Sequence, residues 1–196
     1  MIRTAAYFAA MLLAAGQTSQ PVSDRPAFTA DGQLQMPEHY REWIFLTSGL
    51  DMSYSANAMQ MDHSIFDNVF VNPSAYRSFQ QTGTWPDGTV MVLENRKAEG
   101  ARSINKVGKT QTPEVVGLEV HVKDAAHGGW GFYSFDNPKT AQRIPQSASC
   151  YSCHEQHAAV DTTFVQFYPT LQAAAEAHKT WSKAYLARAR SRRRSS

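Results

Sequence analysis

The sequence predicts an α+β fold: a mostly antiparallel β-sheet domain with flanking helices and a C-terminal helix. Three observations carry that reading. Val116, Leu118, Val120 and Val122 alternate with Gly117, Glu119, His121 and Lys123, which is the two-residue period of a strand. A second, aromatic strand at residues 130–135 follows after a short glycine-containing bend, so the two are antiparallel neighbours. Helical patterns lie nearer the ends, with an asparagine–proline start at Asn72-Pro73 and an apolar stripe after Thr170. At 196 residues, 42% of them hydrophobic, the chain suits one packed domain, and no composition typical of disorder occurs outside its two ends.

The chain opens with Arg3, an apolar run over residues 5–15, and a small-residue exit at Ala14, Ala15 and Gly16. That is the order of a secretory signal peptide (residues 1–20) cleaved near Gly16, with a buried core helix as the alternative. The run is too short to remain in a bilayer, and no later stretch is apolar for long enough. The expectation is therefore an exported, periplasmic protein. Residues 21–33 read as a polar linker, 34–187 as a single domain and 188–196 as a basic disordered tail.

Within the domain, residues 40–46 read as a short helix or a strand entry, and 53–62, rich in methionine, as a loop. Residues 65–71 form a strand; Asn72 and Pro73 then start a helix that carries Tyr76 and Phe79 on one face and stops at Gly83. Trp85-Pro86-Asp87-Gly88 is a turn before an apolar strand at 89–94. In the next strand His121 falls on the side away from the valines and reads as a solvated surface histidine. Residues 138–149 read as a polar loop, 155–167 as mostly helix, and 170–188 as one helix whose stripe includes Leu171, Ala174, Ala175, Trp181 and a packed His178.

Formal charge is +2, but removing the five arginines at 188, 190, 192, 193 and 194 leaves −3, so the body is mildly acidic. A solvated tail is the plain reading of that run; attraction to an anionic membrane surface or to an acidic redox partner is the sharper one. Nothing points to nucleic acid.

Cys150-Tyr151-Ser152-Cys153-His154 is the pattern of covalent c-type haem attachment. Two cysteines separated by two residues reach both vinyl groups of one haem, and the adjacent histidine projects its imidazole at the iron. Cys150 and Cys153 are then the thioether anchors of a single haem c, and His154 the proximal ligand. Zinc needs about four protein ligands, and no second cysteine pair exists. A redox dithiol remains the alternative, although the strand–helix–strand pattern it usually accompanies is missing. His157, three residues past His154, reads as a support for that ligand or as a cap with Asp161.

The surroundings of the motif are more specific. Cys150 to Ala158 runs into Asp161 and then Phe164-Val165-Gln166-Phe167-Tyr168-Pro169. With Tyr40-Arg41-Glu42-Trp43, Val69-Phe70-Val71-Asn72-Pro73, Asp87-Gly88-Thr89-Val90-Met91-Val92, Gly117-Leu118-Glu119 and Trp130-Gly131-Phe132-Tyr133, the chain resembles the cytochrome P-460 family over residues 34–175. The resemblance implies a mostly β fold, one c-type haem with histidine below the iron, an open distal face, and a homodimer. It also implies one of two activities: oxidation of hydroxylamine with a lysine cross-linked to the haem, or binding of nitric oxide in an apolar distal pocket, as in the β-sheet cytochromes c′.

Departures from the family pattern weigh on that choice. Leu93 stands where the cross-linking lysine would be, and leucine has no amine; Lys97 lies four residues on. Asp67 falls where some enzymes of the family carry an arginine. Residues 146–149, including Ala148, hold no acid where a catalytic carboxylate is expected. Leu93, Asp67 and Ala148 are thus the candidate distal-pocket residues, with no catalytic residue assigned. The expected function is binding of a small ligand such as nitric oxide. The alternatives are an oxidoreductase acting on hydroxylamine or a related nitrogen compound, and an electron-transfer cytochrome with a partner cytochrome and a sixth ligand from Met59, Met61 or His63.

Overall fold

The computed structural model describes residues 23–54 and 64–195. The expected signal peptide and Met59, Met61 and His63 lie outside the described residues. Five strands form one antiparallel sheet in chain order: β2 (Ile44–Leu50), β3 (Ile65–Val71), β4 (Val90–Gly100), β5 (Lys109–Asp124) and β6 (Gly129–Ser134). A two-stranded ribbon pairs β1 (Leu34–Gln35) with β7 (Thr140–Ala141). The helices are α1 (Pro73–Thr82), α2 (Ser149–His157), α3 (Pro169–Ala177) and α4 (Lys183–Ser195). This is the α+β arrangement that the sequence predicts. Among the described residues no helix is long and apolar enough to cross a membrane.

Both faces of the sheet are covered, and this decides where the alternating side chains go. Val90, Val92, Val120 and Val122 pack on one face with Leu34, Tyr40, Tyr133 and Ala141. Val71 and Met91 pack on the other, where Phe79 of α1, Trp85, and Leu171 and Ala175 of α3 build a second cluster. His121 pairs across the sheet with Met91, so it belongs to this second face. It is no surface histidine: its ring stacks on Phe132 with centroids 4.0 Å apart. The strand period read from the sequence holds, but the helical layer opposite the valines is a tertiary feature that no local pattern announces.

Residues 40–46 contain both expected elements, a 3₁₀ turn at Tyr40–Glu42 and then β2. β4 continues past Glu94 to Gly100 instead of stopping there. Glu94 is tolerated in the sheet because its buried carboxylate accepts hydrogen bonds from Tyr40, Arg96 and Arg41, the last with an ion-pair distance of 2.6 Å. Burial alone would raise this carboxyl, but those three donors and the Arg41 charge pull it below its ordinary value.

Pro73 and Gly83, the latter at φ 71°, bound α1 as expected. Asn72 is the N-cap residue, as expected, but its side chain makes no capping hydrogen bond. Its Oδ1 accepts from the Val90 amide at 2.9 Å and its Nδ2 donates to the Gly88 carbonyl at 3.2 Å, bracing the corner between β3, α1 and β4. The single helix expected over 170–188 is two. α3 ends in a Schellman arrangement: Lys179 at φ 56° donates to the Glu176 carbonyl, and Thr180 to that of Ala175. Ser182 then caps α4 by accepting from the Tyr185 amide at 3.1 Å. His178 sits exposed at the end of α3 rather than packed, and the tail expected to be disordered is helical to Ser195.

Candidate functional site

α2 carries Cys150, Cys153 and His154, and Tyr151 fixes it to the sheet. The Tyr151 ring stacks on Phe132 at 4.3 Å, while its hydroxyl accepts from the Phe132 amide at 3.1 Å and donates to the Ile144 carbonyl at 3.0 Å. The two cysteines, three apart on the helix, share a face. Both are reduced and half-buried, and both line one cavity with His154.

His154 is held in one orientation. Its Nδ1 lies 2.8 Å from the Thr162 carbonyl, which only accepts, so Nδ1 carries the hydrogen and Nε2 keeps its lone pair. Phe164, Phe132 and His121 surround the imidazole at centroid distances of 4.4, 4.7 and 4.9 Å. Burial lowers the His154 pKa, opposed by the Thr162 bond, which keeps the ring neutral and fit to ligate. His121 is pushed down further, to about 3, by burial and then by His154. His157 is exposed and gives His154 no support; that role falls to Thr162, and Asp161 pairs instead with Lys123 at 2.6 Å.

The cavity measures about 530 Å³, within the usual range for cofactor pockets. Strand register builds its sheet wall in rows. Met91 and His121 form one row; Thr47, Val69, Leu93 and Glu119 form the next; Asp67 and Asn95 lie one row beyond. Asn95 donates to Asp67 at 2.5 Å, and Gly117 leaves room for it, since a Cβ there would lie 2.7 Å from the Asn95 oxygen. Met52, Tyr54, Phe164, Phe167 and Tyr168 add to the lining with Ser149 and Thr163, and no lysine or arginine is among the described residues that form it.

Of the candidates read from the sequence, Cys150, Cys153, His154, Leu93 and Asp67 come together in this cavity. Ala148 does not line it and serves only as the extended residue before α2. Lys97 pairs with Ile65 in unbroken register and reaches Glu114 at 3.4 Å, away from the cavity. Glu119, read from the sequence as part of an alternating pattern and of a family motif but not as a site residue, supplies a carboxyl to the wall. Its pKa is raised, first by burial and then by Asp67; Asp67 is raised by burial, against the Asn95 bond, with Asp51 adding to the rise.

Residues 37–165 match the family model of Cytochrome P460. The chain belongs to the cytochrome P460 family. No individually curated protein matches it. As a member it is a haem cytochrome, and the site fits that cofactor: an apolar cavity of suitable size, an imidazole with its lone pair unengaged, and two thiols at its edge. Among the described residues no group of three or more His, Cys, Asp or Glu side chains offers a competing metal site.

Proposed function

We propose that this cytochrome P460 protein carries one haem c, bound by Cys150 and Cys153 and ligated by His154, and binds a small uncharged ligand such as nitric oxide on the other face of the iron. Haem iron with one axial imidazole supplies an open coordination position. Each cysteine thiol would add across one vinyl group, its S–H hydrogen passing to the neighbouring vinyl carbon as the S–C bond forms, with no net oxidation. The observation that carries the ligand class is the wall around Leu93. Among the described residues it presents leucine, valine and methionine with two carboxyls and no lysine or arginine, so it repels anions and offers uncharged molecules an apolar place.

A periplasmic location and a homodimer belong to the same proposal, from the signal-peptide pattern and the family resemblance. A redox partner with an acidic surface fits as well, because basic α4 rests against α2, with Arg188 donating to the Gln156 carbonyl at 2.5 Å.

A second reading, oxidation of hydroxylamine or a related nitrogen compound, is favoured by one observation. Asp67 and Glu119 place in the cavity the proton-accepting carboxyls that the loop before Cys150 lacks. Absorption spectra of the reduced protein with and without nitric oxide test the first reading: a five-coordinate iron that binds one equivalent supports it, and a six-coordinate low-spin iron without added ligand overturns it. Hydroxylamine turnover with an artificial electron acceptor, above that of free haem, would establish the second.

A further inference from the structure

The Thr162 carbonyl that holds His154 comes from a backbone shape that polypeptide chains adopt reluctantly. Val160 and Thr163 pair as an antiparallel bridge, and the two residues between them, Asp161 and Thr162, have φ of 45° and 56°. Two consecutive left-handed residues make the mirror-image tight turn that asparagine and glycine favour. A β-branched threonine there is an outlier, and such a residue persists only where its surroundings hold it. Something must therefore impose the turn.

Two braces do. Lys123 Nζ reaches Asp161 Oδ2 at 2.6 Å and the Trp85 carbonyl at 2.7 Å, pinning the turn's first residue to β5 and to the turn before β4. Trp85 Nε1 donates to Thr163 Oγ1 at 2.8 Å, and Thr163 Oγ1 donates to the Val160 carbonyl at 2.7 Å, pinning the turn's base inside the core. Trp85, Val160 and Thr163 are each at most 2% exposed, so the base cannot drift. The Thr162 carbonyl passes from this assembly to His154.

We infer that Lys123 and Asp161 are positioning residues that act on the iron through the Thr162 carbonyl: by fixing the turn they set the strength of the His154 Nδ1 hydrogen bond, and hence the electron donation of its Nε2 and the reduction potential. This rests on the reading of His154 as the axial ligand. A stronger Nδ1 hydrogen bond makes the imidazole more basic and favours the ferric state. Loosening the turn should therefore raise the potential.

The test compares Lys123→Met and Asp161→Asn with the parent haem-loaded protein, by midpoint potential and by the iron–histidine stretching frequency of the reduced state. Both variants should lose ferric preference about three- to tenfold, a rise of about 28–59 mV, with a lower stretching frequency. Asp161→Asn keeps the size and left-handed tolerance of the residue while removing its charge, so it decides the matter if Lys123→Met fails to fold. Unchanged potential and stretch in a folded variant, even one less stable to heat, would overturn the inference. The His154→Gly variant separates the two levels: if its spectrum and its response to added imidazole show that His154 never bound the iron, the underlying reading fails, whatever the turn does.

Discussion

Leu93 on β4 faces Glu119 on β5 directly across the sheet, and both side chains line the cavity beside the cysteines of α2. An uncharged partner next to a carboxyl leaves the described part of the wall without a lysine or arginine, which under the proposed function is what turns anions away. Leu93→Lys should reverse this. An amine opposite Glu119 would form a cross-strand pair worth about 0.2–1 kcal/mol and pull the Glu119 carboxyl down. Azide affinity should rise by up to about fivefold, while nitric oxide binding weakens or stays level. Spectral titration of both ligands checks it, and unchanged azide affinity would remove Leu93 from its role.

Stability against pH should separate the cavity carboxyls from the one buried in the sheet. Asp67 is raised by burial, against Asn95 and with Asp51 adding, so the folded protein holds this proton to higher pH than the unfolded chain. Its contribution is therefore intact below the unfolded value of about 3.9 and is lost as pH rises through the folded value. Asp67→Asn should gain about 0.5 kcal/mol at neutral pH, a gain that fades below about pH 4. Urea unfolding across pH measures it; a variant less stable at pH 7 would contradict the sign.

Glu94 behaves in the opposite sense. Its carboxyl is lowered despite burial, because Arg96, Tyr40 and Arg41 stabilise the charge. That stabilisation is present above the unfolded value of about 4.3 and is lost as pH falls through the folded one. Glu94→Gln should cost about 1–3 kcal/mol near neutrality, less than a fully enclosed pair because Arg41 is half exposed, and the gap to the parent protein should close in acid. The same urea series, run beside Asp67→Asn, provides the comparison, and a gap that widens in acid would refute it.

What the sequence could and could not convey follows from the range of the forces involved. That Cys150, Cys153 and His154 meet at one cavity was legible because their spacing is local chemistry, and β3, α1 and β5 were legible because period and helix ends are local too. The two faces of β5 were legible as a pattern, but which face met solvent depended on α1 and α3, far away in the chain. So His121 was set outside when it lines the cavity beside Glu119. The break at Lys179 escaped notice because a lysine, rather than the expected glycine, takes the left-handed position; Ser182 was its one readable sign.

Thr162→Gly tests whether the turn beneath His154 is strained. At φ 56° glycine has no Cβ penalty, and the Thr162 hydroxyl it removes is buried without a hydrogen-bond partner. The variant should gain about 0.5–1 kcal/mol, the relief of a left-handed β-branched residue less the entropy that glycine adds to the unfolded chain. Thermal unfolding reads the gain, and a loss of stability would mean that threonine's methyl packing outweighs the strain.

Tyr151→Phe isolates what the second residue of the haem motif contributes. The ring would still stack on Phe132, so the wall beside His154 keeps its shape. The Phe132 amide, however, loses the hydroxyl it donates to, and the Ile144 carbonyl loses its donor, which leaves two half-buried backbone groups to find water or go unpaired. One such loss costs about 1–3 kcal/mol when fully buried, and partial access to water places the total near the lower end, about 1–2 kcal/mol. Because β6 ends the five-stranded sheet, this bond is also part of what ties α2 to the sheet. The expected outcome is a lower unfolding midpoint in urea with an unchanged spectrum and unchanged nitric oxide affinity in the folded protein. A changed spectrum at full stability would mean that the hydroxyl shapes the iron's surroundings rather than anchoring the helix that carries them.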